Sequence, residues 1–238
     1  GDILLAPKFK VSNNYIFDLT DKIPKTKTEG DYIIPLQISR SGNMIELQRH
    51  KYKKLIDLSP TLGLFFFCFL AEGSVSQNKL VEFAFHSSEE TFAINIAEYL
   101  KSTFNINYSV QSINQNSRKL RIVSSFLCKL LKLFFYSSLE SNFKKFPDLT
   151  KTNEEFIRNF VIGLYYGDGD ITKNSRSKLR SRIKLTTSKI DHVLGLKNIL
   201  TYWDIYPHIL KEVSHSSFPN GTSGIYTNYR VVVEGIGA

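Results

Sequence analysis

Hydrophobic and polar positions along the chain change their period several times, and each change marks an element. Over residues 1–55 short apolar runs alternate with turn and charge clusters. GDILLAPKF and GDYIIPL each set Gly-Asp ahead of an apolar run that ends at or near a proline, which predicts a short strand followed by a break. From Leu55 the pattern changes. Ser59-Pro60 is a helix start, and residues 61–71 are apolar on all sides, which predicts a helix buried on every face with Gly73 as its C-terminal cap. Residues 80–86 alternate as a strand does. In 87–104 the apolar positions Phe92, Ile96, Tyr99 and Leu100 recur at helical spacing. Residues 106–113 and 119–123 read as two strands joined by a polar turn around Asn114 to Ser117, and 126–136 is helical again.

Lys144-Lys145-Phe146-Pro147 then punctuates the chain, and Asn153-Glu154-Glu155 opens a second buried helix that ends at 167–169. After it come a strand over 177–186, a helix over 188–201, and strands over 205–213 and 226–234. The order helix, strand, helix, strand, strand has repeated itself, and such a repeat bears on everything that follows. It predicts an α+β fold of two pseudo-symmetric halves, 56–147 and 148–238, behind a flanking segment, 1–55. The second half stops before its final helix, so it reads as truncated at the C-terminus.

The two buried helices end alike. Aligned on their terminal glycines, FFFCFLAEG (65–73) and VIGLYYGDG (161–169) both finish small, acid, Gly, and the acids Glu72 and Asp168 lie 96 residues apart. A helix C-terminus disfavours an anion by about 0.3–1 kcal/mol, so a compensating cation is expected near each. Gly163 and Gly167 lie four apart on one helical face, and Gly63 with Ala71 gives the first helix small residues on a comparable face. Close packing of the two helices would bring both carboxylates to one point, where they repel unless protonated or bridged by a cation. A hard divalent ion with oxygen ligands, Mg2+ above all, meets that requirement. One apolar helix ending in acid then glycine is ordinarily a capped core helix; two at half-chain spacing favour the shared ion.

At these residues the sequence resembles the LAGLIDADG family of homing endonucleases. Residues 161–169 fill the nine-residue pattern, and 65–73 form the first copy with Glu72 in the acidic place. The resemblance covers most of 56–238. It implies a single-chain enzyme whose antiparallel sheets form a DNA-binding saddle around two central motif helices, with Glu72 and Asp168 as the metal-binding catalytic pair. One departure is Phe67, where the family usually has glycine at the helix crossing; the ring must be accommodated by Gly163 opposite or must widen the crossing. FKKFPDLTKTNEEF looks like the lysine-then-proline linker of intein-borne members, which implies Lys144 as an active-site lysine. Its counterpart in the second half would fall beyond residue 238, and Lys184 is a poor substitute. GDILLAPKF and GDYIIPL resemble an intein segment leading into an embedded endonuclease. The chain as given lacks an initial Cys or Ser and a terminal His-Asn, so self-splicing is not expected of it.

Charge supports a polyanionic partner. The formal net charge is +9 and the pI about 9.4. Lys173, Arg176, Lys178, Arg180, Arg182 and Lys184 fall within twelve residues without an acid, and the last four alternate with Leu179, Ser181, Ile183 and Leu185. As a strand this gives one cationic and one mostly apolar face, suited to a DNA groove. Arg118, Lys119 and Arg121 are the counterpart in the first half, with His50, Lys51, Lys53 and Lys54 as a flanking patch. No apolar run reaches the roughly 20 residues that span a bilayer, so no membrane partner is expected. Two cysteines, Cys68 and Cys128, support neither a disulfide framework nor a zinc site and suit a reducing intracellular compartment. The expectation is therefore a monomeric, divalent-metal-dependent, site-specific endonuclease of double-stranded DNA. The alternative is a non-cleaving nucleic-acid binder on the same scaffold, an intron RNA maturase or a transcription regulator.

Overall fold

The computed structural model describes residues 11–47, 50–138, 143–167, 169–173, 180–217 and 223–236. Its N-terminal part is a set of short strands: β1 (Ile16–Asp18), β2 (Thr26–Glu29), β3 (Tyr32–Ile38), β4 (Met44–Glu46), β5 (Tyr52–Lys53) and β6 (Leu55–Asp57). β1 pairs with β6, while β3 pairs with β2 and β5 along its first residues and with β4 along its last. The break expected at Pro35 does not occur. The strand changes partners there instead, and the Pro35 carbonyl still accepts from Leu47 N–H at 2.9 Å, so only the donor that proline lacks goes unused. The first run, GDILLAPKF, lies outside the described residues.

These strands are packed onto the rest of the chain. Leu19, Ile23, Ile33 and Ile56 are at most 4% exposed and share one core with the helices that follow. Tyr52 stacks on Phe126 with ring centroids 3.8 Å apart, and Phe17 meets Phe134 at 4.7 Å.

Helix α1 (Pro60–Glu72) begins where the sequence predicts. Ser59 is extended and its Oγ accepts from Leu62 N–H at 3.2 Å, with Pro60 in the first turn, where its missing N–H breaks no helical bond. Leu62, Phe65, Phe66, Phe67, Phe69 and Leu70 are all at most 3% exposed, so the helix is covered around its circumference. Gly73 caps the C-terminus as expected, its N–H donating to the Phe69 carbonyl, but in an extended conformation, φ −79° and ψ 150°, that already belongs to the next strand. Glycine is needed there for room, because a Cβ would lie 2.4 Å from Phe69 Cδ2 and 2.6 Å from Phe69 Cα.

The chain turns back through β7 (Gly73–Ser76) and β8 (Leu80–His86), then runs through α2 (Glu90–Phe104), β9 (Tyr108–Ser112), β10 (Ser117–Val123) and α3 (Ser125–Phe135). The four strands form an antiparallel sheet in the order β7-β8-β10-β9. After the linker come α4 (Glu154–Gly167), β11 (Gly169–Lys173), β12 (Arg180–Thr187), α5 (Ile190–Tyr202), β13 (His208–Ser217) and β14 (Ser223–Ile236), with the sheet order β11-β12-β14-β13. The two sheets thus have one topology. Each has a strand directly after its motif helix, β7 and β11, that the sequence pattern does not predict. Among the described residues no helix is long and apolar enough to cross a membrane.

Candidate functional site

The two motif helices run side by side from start to end. At their N-termini Asn153, 2% exposed, accepts from Phe156 N–H at 2.8 Å and donates to the Leu58 carbonyl at 2.9 Å, tying the start of α4 to the residue before the Ser59 cap of α1. Midway, a Cβ on Gly63 would lie 2.5 Å from the Phe156 carbonyl oxygen, and one on Gly163 would lie 2.4 Å from Phe67 Cδ1. Near the C-termini Leu70 and Ala71 of α1 and Leu164 of α4 line one cavity. The helices are therefore parallel and in contact, and residues near both C-terminal ends face one cavity. Phe67 does not force them apart, because its ring lies in the space that Gly163 leaves open.

Glu72 ends α1 with an exposed side chain and has no hydrogen-bond or ion-pair partner among the described residues. Asp168 lies outside the described residues. Gly167 ends α4, and Gly169 opens β11 opposite Leu185. The cation called for by the α1 dipole is Lys144. Its ammonium donates to the carbonyls of Phe69 at 2.7 Å, Leu70 at 2.7 Å and Gly73 at 2.8 Å, and lies 5.2 Å from the Phe69 ring centre. The lysine picked out for chemistry thus closes the helix end beside Glu72.

Lys144 also lines the cavity of about 280 Å³ at this junction, together with Phe146, the segment 185–189 and His192. Lys189 Nζ donates to the Lys144 carbonyl at 3.0 Å. Burial pushes the His192 imidazole down to about 4, against the pull of Asp191 in the other direction, and its Nε2 has no hydrogen-bond partner among the described residues. Sequence spacing gave no reason to single out Lys189 or His192; they reach the site only through the β12 to α5 connection. Among the described residues no group of three or more His, Cys, Asp or Glu side chains could hold a metal ion. Glu72, exposed and unpaired, is a hard oxygen donor of the kind that suits Mg2+ or Ca2+.

The sheet faces sort the basic residues. In β10, Lys119 and Arg121 alternate with Leu120 and Ile122, which are at most 2% exposed, so the two cations stand on the open face. Arg121 Nε lies 3.0 Å and Lys119 Nζ 3.6 Å from the same Glu82 carboxylate, and Arg121 also donates to Gln111 Oε1 at 3.3 Å. Cross-strand rows on this face read Ser74, Glu82, Arg121, Ser109 and Ala84, Lys119, Gln111. Arg118 is not with them. It alternates in phase with the core residues, clamps the turn through Asn114 O at 2.8 Å and Ser112 Oγ at 3.1 Å, and lies 3.6 Å from Glu90 of α2. In the flanking patch Lys54 donates to Gly30 O at 2.8 Å, and Lys51 lies over the Tyr32 ring.

In the second sheet Leu185 is 3% exposed and Lys184 half-buried, opposite Val232 on one side and Asp170 on the other. Lys173, Arg180 and Arg182 occupy register positions on β11 and β12, with Arg182 opposite Glu234. Their side chains, and Arg176 and Lys178 altogether, lie outside the described residues.

No family model matches the chain. A stretch of 155 residues, 63% of the chain, is 28% identical to the DNA-directed RNA polymerase subunit Rpo1C of Methanocaldococcus jannaschii, and it spans only 17% of that subunit. Among solved structures, I-DmoI in complex with DNA and calcium is 13% identical, superposes over 74% of this chain and 83% of its own, and gives a TM-score of 0.50. The N-terminal LAGLIDADG domain of DUF199/WhiA covers 74% of this chain and 77% of its own at 13% identity and a TM-score of 0.44. With two antiparallel sheets of one topology, two parallel motif helices in contact at glycines, and its superposition on I-DmoI, the chain has the fold of the LAGLIDADG family.

Proposed function

We propose that the chain is a site-specific double-strand DNA endonuclease that uses Mg2+ or another divalent cation for phosphodiester hydrolysis. One observation carries this reading: two parallel helices lie in contact, α1 ending in the exposed carboxylate of Glu72 and α4 ending at Gly167, immediately before Asp168. Glu72 and Asp168 are the residues that would hold the metal, which when bound supplies Lewis-acid stabilisation and an activated water. Lys144 keeps the end of α1 electrostatically tolerant of the acid beside it. Lys119 and Arg121 on one open sheet face, and the basic run from Lys173 to Lys184 on the other, would contact phosphates and base edges, with affinity falling steeply as salt rises. I-DmoI, which has this fold, is itself seen with DNA and calcium.

Both halves of the site lie in one polypeptide, which supports action as a monomer. We read 56–147 and 148–238 as those halves and 1–55 as a flanking segment. Cys68 and Cys128 are unpaired, and burial pushes both thiols up to about 12, which suits a reducing intracellular setting. The match to a small part of a polymerase subunit supports carriage as an inserted, intein-like piece of a longer protein.

The second reading, a non-cleaving nucleic-acid binder, draws on Lys144, whose ammonium donates to two carbonyls of α1 and to that of Gly73. A pool of randomised duplexes separates the two, incubated with the protein in Mg2+ and in EDTA, for wild type, Glu72→Gln and Asp168→Asn. The endonuclease reading expects metal-dependent cuts in both strands, lost in each variant while retention of the duplex persists. Retention with no cut by wild type in Mg2+ or Mn2+ assigns the chain to the second reading. Cleavage that survives Glu72→Gln sinks the assignment of the site.

A further inference from the structure

The lysine that closes α1 stands on a backbone held by the second half. Lys144 and Phe146 flank Lys145 in the linker, and the start of α5 takes hold of both. The Lys189 ammonium donates to the Lys144 carbonyl at 3.0 Å, and the Asp191 carboxylate accepts from Phe146 N–H at 3.0 Å. The first half holds the same stretch from the other side: Lys145 N–H donates to the Phe135 carbonyl at 2.7 Å, and Lys144 pairs with Tyr136 just past α3. The Phe146 ring is fixed as well. It meets Phe160 of α4 edge-on at 5.6 Å, and it lies so close over Gly195 of α5 that a Cβ there would be 2.2 Å from its Cδ1.

A first-turn aspartate is ordinarily accounted for by the helix dipole alone. Asp191 does more, because it accepts from an amide 45 residues away in the linker. Lys189 is likewise more than a solvated cation: it flanks the N-terminus of α5, where the dipole disfavours a positive charge, yet its ammonium is turned onto a carbonyl. Two bonds that bracket one residue fix both the position and the direction of the backbone, and so fix where the Lys144 side chain starts. A lysine stem is flexible and reaches a definite point only when its origin is held. Here that point is the end of α1, where the ammonium meets the carbonyls of Phe69, Leu70 and Gly73 on either side of Glu72.

We infer that Lys189 and Asp191 are positioning residues for the cleavage reaction: they hold the linker so that the Lys144 ammonium meets the end of α1 and Glu72 keeps the place from which it would bind the metal. The inference rests on the endonuclease reading above. Both residues act through Lys144, and the route runs from the second half to the first, so the acid of one half is set by a helix of the other. A displacement of about 1 Å at a reacting group costs about a hundredfold in rate, so a loosened grip slows cleavage without weakening the hold on DNA.

The test uses the full chain with isotope-labelled lysine and duplexes that wild type selects from a randomised pool. An ammonium whose donors are engaged by carbonyls exchanges its protons slowly, which gives Lys144 a resolved NMR signal that Lys144→Met identifies by its loss. Asp191→Ala and Lys189→Met should each shift or broaden that signal and lower kcat in Mg2+ about tenfold to a hundredfold, with KM and retention of the duplex unchanged. Asp191→Asn, which keeps an acceptor, should restore both readouts to near wild type, and Lys197→Met, at an exposed lysine further along α5, should leave both unchanged. Melting curves check that each variant is folded; if one is not, the other, on a separate bond, decides. An unchanged Lys144 signal overturns the positioning role whatever the rate. So does a disturbed signal with a wild-type rate, a loss of duplex retention in step with the rate, or an Asp191→Asn chain that restores neither readout, and all of these leave the endonuclease reading intact. A wild type that cuts no duplex overturns the endonuclease reading, and the positioning role with it.

Discussion

Gly63, one turn before Phe67 in α1, and Gly163 in α4 face different obstacles, and the difference sets what each tolerates. A methyl group at Gly63 would meet the backbone carbonyl of Phe156, which cannot move without shifting α4, whereas one at Gly163 would meet the ring of Phe67, which has other rotamers. Gly63→Ala should therefore destabilise by more than about 3 kcal/mol and Gly163→Ala by about 1–3 kcal/mol, read from urea unfolding. Phe67→Leu combined with Gly163→Ala should recover part of the second loss, whereas no single partner change should rescue the first. Equal losses at the two glycines would contradict the packing described. His192 gives a pH-dependent counterpart. Its folded pKa, about 4, lies below the 6.5 of the unfolded chain, so the unfolded state binds the extra proton between those values. Stability should be flat above about pH 6.5 and fall as pH drops from 6.5 towards 4, and His192→Gln should remove that part of the slope.

At the scale of the element, the end of α1 shows how a single side chain completes a helix. Lys144 reaches across from the linker to the last carbonyls, which would otherwise combine the negative end of the dipole with Glu72. Lys144→Met should lower stability by about 2 kcal/mol in thermal or urea unfolding, and Lys144→Arg should restore part of it. The need for a cation there was legible from two acids at two helix ends, and Lys144 was legible by resemblance, but its direction was not: nothing in FKKFP says that the ammonium points at carbonyls. The hairpins after the motif helices were also illegible. In the β7–β8 turn both Gln77 and Asn78 have positive φ, and a glutamine carries no signal for that conformation. The separation of Arg118 from Lys119 and Arg121 follows from strand parity, which the sequence contains, but only once Leu120 and Ile122 are known to face the core. The far end of the β13–β14 hairpin, 214–217 and 223–225, escaped for a different reason: its serines and histidine read as loop, and register alone makes them strand.

For the whole molecule, the repeat of element order was visible before any coordinates, because buried helices with like endings, 96 residues apart, can be recognised without identity between the halves. What could not be seen is that the halves are not equivalent. The first half is covered by the N-terminal strands, through Tyr52 on Phe126 and Phe17 on Phe134, and the second carries the longer hairpin. The same inequality reaches the centre. Phe67 and Gly163 hold the same place in their respective helices, 96 residues apart, and they meet each other. Two copies of the first helix brought together would set phenyl against phenyl at that crossing, whereas here the ring of one helix fills the room left by the glycine of the other. Knob and socket are thus divided between the two motif helices, and each is shaped for the other rather than for a copy of itself.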